Sequence, residues 1–182
     1  MLYCTCLQPD PNILRDNQEY LLLNAYIMTE KHSILDHEHE MLLEELDEVS
    51  RGSGRIGQIY SEVLTLFRTH LAEENETIVP LLRYNKERLE EFENKDVENL
   101  KLASARFENH FDRMVGEHRE ISRKLNQVLD ELKASPDEGA KQLAQELIHH
   151  VELEEEILYP AAFAAGDLLE FERELLGQKI KY

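Results

Sequence analysis

The chain has 182 residues, enough for one domain with a real core, and carries 38 acidic against 20 basic side chains. The formal charge of −18 argues against nucleic acid and anionic membranes as partners and fits a protein that attracts cations. Gly and Pro are few, Leu, Glu, Lys, Arg and Ala are plentiful, and the longest apolar stretch, Leu21 to Met28, is interrupted by Asn24, so an all-α domain without a transmembrane span is expected.

Residues 1–11, with Pro9 and Pro11, read as irregular and lack the basic region and cleavage site of a signal peptide. Cys4 and Cys6 are the only thiols, awkwardly spaced for a disulfide framework, which points to free thiols in a reducing cytoplasm. An amphipathic stretch follows from about Asn12 to Thr29. Ser33 caps a predicted helix to about Ser50, and Arg51-Gly52-Ser53-Gly54 is a loop. A second helix is predicted from about Arg55 to Pro80, then a charged connector from Tyr84 to Lys95. A third runs from about Asp96 to Lys133. Ser135-Pro136-Asp137-Glu138 reads as a helix start, with Ser135 at the cap and Pro136 at the first helical position. That fourth helix should reach Tyr159 and stop at Pro160, and a short helix near Asp167 to Leu176 closes the chain. The expected organisation is an N-terminal extension (1–32, partly helical), an up-down four-helix bundle (33–160) and a helical tail (161–182) packing on it.

Apolar residues at helical spacing define one buried stripe per helix. The stripes read Leu35, His39, Leu42, Leu46, Val49; then Ile56, Tyr60, Val63, Phe67, His70, Glu74, Ile78. The third reads Phe107, Phe111, Met114, His118, Ile121, Leu125, Val128, and the fourth Leu143, Leu147, His150, Glu154, Leu158. Six polar residues interrupt these stripes, and they form a repeat. His39, His70 and Glu74 reappear as His118, His150 and Glu154, offset by 79 or 80 positions, and in both copies a Pro stands ten after the second His. A lone His-x-x-x-Glu carries little weight in so acidic a chain, since His32 also has an acidic residue at plus four. The weight lies in two copies in register on buried faces.

Burying an unpartnered polar group costs roughly 2–7 kcal/mol, and an isolated carboxylate more. A metal centre satisfies all six together. His and Glu four apart project from one helix face, so both reach one metal or the Glu bridges two. Four imidazoles and two carboxylates suit iron and also accept manganese or zinc. Two bridging carboxylates and a solvent-derived bridge would leave an open position on each metal for dioxygen, peroxide, nitric oxide or water.

The chain resembles the hemerythrin-like HHE cation-binding family in Glu38-His39-Glu40-Met41-Leu42 with His70-Leu71-Ala72-Glu73-Glu74, and in Glu117-His118-Arg119-Glu120-Ile121 with His150-Val151-Glu152-Leu153-Glu154. The resemblance covers about Ser33 to Pro160. It implies an up-down bundle around a non-haem di-iron centre, with His39, His70, His118 and His150 as terminal ligands and Glu74 and Glu154 as bridges. Oxygen-carrying members have a fifth His on the third helix. Here Met114 and Ser122 stand at the flanking positions four residues from His118. That departure favours binding or sensing of iron, dioxygen or a small oxidant over reversible oxygen carriage.

Other residues have plainer readings. His37 and His149 should be solvated, His110 lies two turns from His118, and His32 lies outside the core helix. Glu73, Glu152, Glu155 and Glu156 read as surface carboxylates, and Met114 as core. A ferritin-like site would need Glu-x-x-His pairs, for which only Glu146 with His149 and Asp36 with His39 offer themselves. Two alternatives to a binding or sensing protein stand beside it: a di-iron enzyme acting on peroxide or nitric oxide, for which the sequence supplies no obvious proton donor, and a metal-stabilised interaction module.

Overall fold

The computed structural model describes residues 37–87 and 94–179, all helical apart from the connections. The N-terminal extension with Cys4, Cys6 and His32, the Ser33 cap, and Asp36 lie outside the described residues. Helix α1 covers 37–50, α2 Arg55–Glu87, α3 Asn94–Glu131, α4 Glu138–Leu153 and α5 Tyr159–Lys179. A single π-helical turn, Glu154–Leu158, joins α4 to α5.

Among the described residues the stripes are buried, or half-buried at Val49, Ile56 and Phe111, and they sort into two apolar clusters; Leu35 lies outside the described residues. One holds Leu42 and Leu46 of α1, Val63 and Phe67 of α2, Ile121 and Leu125 of α3, and Leu143 and Leu147 of α4. The other holds Ile78, Leu81 and Tyr84 of α2, Phe107 and Met114 of α3, and Leu158, Tyr159, Ala162 and Leu169 of the π-turn and α5. Chain direction follows from these memberships. Helices α1 and α3 run toward the first cluster, while α2 and α4 run away from it, which is the up-down order of an all-α hemerythrin-like bundle.

Three boundaries differ from the sequence reading. Helix α2 does not end near Pro80 but continues to Glu87. An internal proline costs about 3 kcal/mol, but Leu81, Leu82 and Tyr84 beyond it are buried, at about 1.5–3 kcal/mol for each large apolar side chain. Packing wins. The α4 cap is Asp137, not Ser135: its backbone is extended and its carboxylate accepts the Ala140 amide at 3.0 Å. Pro160 does not stop the fourth helix either. The backbone widens into the π-turn ahead of it, with the Tyr159 amide donating to the Glu154 carbonyl, and then continues as α5 for 21 residues.

The loop between α1 and α2 is tightly specified. Gly54 takes a positive φ of 93°. A Cβ at Gly57 would sit 2.0 Å from the Gly52 carbonyl oxygen, so the loop folds directly onto the first turn of α2.

Candidate metal centre

Between the two apolar clusters lies one polar layer, made by His39, His70, Glu74, His118, His150 and Glu154, none more than 5 % exposed. All six sequence candidates are therefore brought together: His39 from α1, His70 and Glu74 from α2, His118 from α3, His150 from α4 and Glu154 from the π-turn. His118 Nε2 lies 2.8 Å from His70 Nε2 and 3.2 Å from Glu154 Oε2. His70 Nε2 is 3.4 Å from Glu74 Oε1 and 3.8 Å from Glu154 Oε2. On the other side, Glu154 Oε1 is 2.9 Å from His150 Nε2 and 3.3 Å from His39 Nε2, and Glu74 Oε2 is 4.0 Å from His39 Nε2. Each carboxylate thus turns one oxygen to each side. The donors form two groups, His70, Glu74, His118, Glu154 and His39, His150, Glu154, within each of which the ligand atoms lie within 4.8 Å of one another. Each group takes one His from each half of the repeat.

Carboxylates behind the rings orient them. His70 Nδ1 donates to Glu117 at 3.1 Å, His118 Nδ1 to Glu155 at 2.9 Å and His150 Nδ1 to Glu38 at 3.4 Å. With the proton held on Nδ1, it is Nε2 that would give up its proton and present a lone pair to a metal in the centre. The pattern crosses between halves: Glu38, beside His39, holds His150, while Glu117, beside His118, holds His70. Glu117 is held in turn by Arg113 at 2.9 Å, and Arg113 also reaches Glu73 at 2.7 Å, where His110 is seated.

Charge is concentrated here. Burial pushes the His70 imidazolium down, but Glu117, Glu154 and Glu74 outweigh it and its pKa is pushed up to about 12. His150 behaves likewise: burial opposes, Glu154 and Glu38 prevail, and it rises to about 10. Burial and the Glu154 charge raise the Glu74 carboxyl. Burial also opposes ionisation of Glu154, but His150, His118 and His39 hold it well below the usual range. Burial and the charges of Glu74 and Glu154 push the Tyr159 phenol up. It stays protonated and donates to His118 Nε2 at 3.1 Å.

The donor set fits a metal. Glu74 Oε1, Glu154 Oε2 and His150 Nε2 are fully buried and have no aligned hydrogen-bond partner. Each lies within 3.4 Å of a neighbouring side-chain nitrogen or oxygen of the layer without making a hydrogen bond to it. Protons alone leave these atoms unsatisfied; a cation between them does not. A cleft of about 450 Å³ between α3 and the π-turn, lined in part by Arg119, Arg123, Glu152 and Glu156, reaches His118.

The hemerythrin HHE cation-binding domain model matches residues 31–162. The chain belongs to the hemerythrin HHE cation-binding family. No curated protein and no solved structure matches the chain. As an HHE domain, the chain has in this buried His/Glu layer a group that can hold metal.

The bland readings mostly stand. His37 and His149 are exposed, as are Glu146, Glu152 and Glu156, so no ferritin-like pair is assembled by Glu146 and His149. Met114 is fully buried core. Two residues were misread. Glu155 is not merely part of a solvated face, because it seats His118, and Glu73 belongs to the Arg113 network. Tyr159 was missed entirely. It lies five residues after Glu154, about 140° off in a regular helix, and only the π-turn brings it inward. The signal in the sequence was Pro160, read as a stop when it marked a widened turn.

Proposed function

We propose that this HHE domain is a non-haem di-iron protein that binds or senses iron, dioxygen or a related small oxidant in a cytoplasmic setting. His70 and His118 would hold one iron, His39 and His150 the other, and Glu74 and Glu154 would bridge them. The observation carrying this reading is the split of each buried carboxylate between two imidazole pairs, with three donor atoms left unsatisfied. Nitrogen and oxygen donors in this ratio suit iron, with manganese or zinc as competitors. When bound, iron would supply Lewis acidity, a one-electron couple and a site for a small ligand beside a solvent-derived bridge.

The protein's own part is to exclude bulk water with two apolar clusters, fix the imidazole tautomers through Glu38, Glu117 and Glu155, and balance the cation charge with Glu74 and Glu154. A cleft of about 450 Å³ has His118 in its lining, which favours a second reading as an enzyme acting on peroxide or nitric oxide. Anaerobic iron loading with elemental analysis tests the binding reading: two irons per chain support it, and substantially fewer contradict it. Turnover no faster than that of free iron removes the enzymatic reading.

A further inference from the structure

The repeat is not symmetric around the two candidate metal positions. Glu155, which seats His118, has Asn75 at the corresponding place in the first half, and Tyr159 has Val79. The Tyr159 ring stacks on His118 with centroids 5.3 Å apart at 19°, and its hydroxyl lies 3.1 Å from His118 Nε2, the atom that faces the centre. The residue is 1 % exposed. Its oxygen joins His70 Nε2 at 2.8 Å and Glu154 Oε2 at 3.2 Å as the third donor about 3 Å from His118 Nε2. A six-coordinate metal with bonds of about 2.1 Å sets neighbouring donors about 3 Å apart.

In a loaded centre the His118 Nε2 lone pair is engaged by metal and no longer accepts from Tyr159. The buried oxygen would then be left beside the position that His70 and His118 would share, with Glu74 as its other neighbour. From this geometry we infer that Tyr159 is a fifth protein donor, ligating as phenolate the metal held by His70 and His118 and making the two metal positions chemically unequal. Coordination forms a metal–oxygen bond and releases the phenol proton to solvent, with no change in oxidation state. The π-turn is the device that allows it, because a regular helix would carry Tyr159 away from the layer. This inference rests on the di-iron reading.

The test is spectroscopic. The full chain, loaded with iron(II) anaerobically and oxidised in air, should show a visible phenolate-to-iron(III) charge-transfer band. Its resonance Raman modes should shift in protein made with ring-deuterated tyrosine. Tyr159→Phe should lose the band and the modes. Tyr84→Phe, whose hydroxyl meets Glu172 at 3.0 Å, should keep both. Wild-type protein that holds two irons without a tyrosine-sensitive mode overturns the inference, whether or not the Phe variant folds. Persistence of the band in Tyr159→Phe overturns it too. A wild-type chain that takes up no iron overturns the di-iron reading as well, so the iron count separates the two failures.

Discussion

Replacing His150 with alanine removes a buried nitrogen 2.9 Å from Glu154 Oε1 and opens space beside the Phe67 ring, 5.7 Å away. Iron content should fall from two per chain to one or fewer, with a loss of about 2–5 kcal/mol in stability, as for a large core truncation. His149→Ala, on the exposed side of the same helix, should change neither. Elemental analysis and urea unfolding of both variants check this. Glu117→Ala frees the His70 ring to turn and should weaken metal affinity about 10–100-fold, while Glu152→Ala leaves it unchanged; competition with a coloured chelator reads the difference. The same residues set a pH dependence. His70 and His150 titrate in the metal-free fold at about 12 and about 10, above the ordinary value of 6.5. Their stabilisation is therefore complete below about pH 6.5 and is lost as pH rises through those values. Urea midpoints of metal-free protein should fall between about pH 6 and about pH 9, and metal loading should abolish that fall because the cation replaces the protons.

At the scale of the helices, spacing alone made the buried faces legible. His39, His70, Glu74, His118, His150 and Glu154 each fall on a stripe of period about 3.6, and all are buried. What spacing could not supply was the effect of packing on prolines. Pro80 and Pro160 read locally as terminators, yet the apolar residues beyond each are buried and keep the backbone helical, one through an α-helix and the other through a π-turn. Tyr159 was hidden for that reason. Glu155 was hidden because its side chain is 39 % exposed and charge on a helix face normally means solvent. The α1–α2 loop makes a separate prediction. A methyl at Gly57 meets backbone of Gly52, so Gly57→Ala should destabilise the chain by about 1–3 kcal/mol. The loop lies beyond the first apolar cluster, away from the polar layer, so iron stoichiometry should be retained, as urea unfolding and elemental analysis of the variant will report.

For the molecule as a whole, the polar layer divides the core into two apolar clusters, so whatever satisfies that layer ties all four bundle helices together. No helix among the described residues is long and apolar enough to cross a membrane. Metal removal should therefore lower the melting temperature, and adding iron back should restore it. The central claim is that the duplicated His and Glu residues hold two metals inside the bundle. Its most direct test is the iron count of wild-type, His70→Ala and Glu154→Ala protein after anaerobic loading and desalting. Two irons per wild-type chain, with at least one lost in each variant, is the predicted result. A wild-type count well below two, or equal counts in all three proteins, would contradict it.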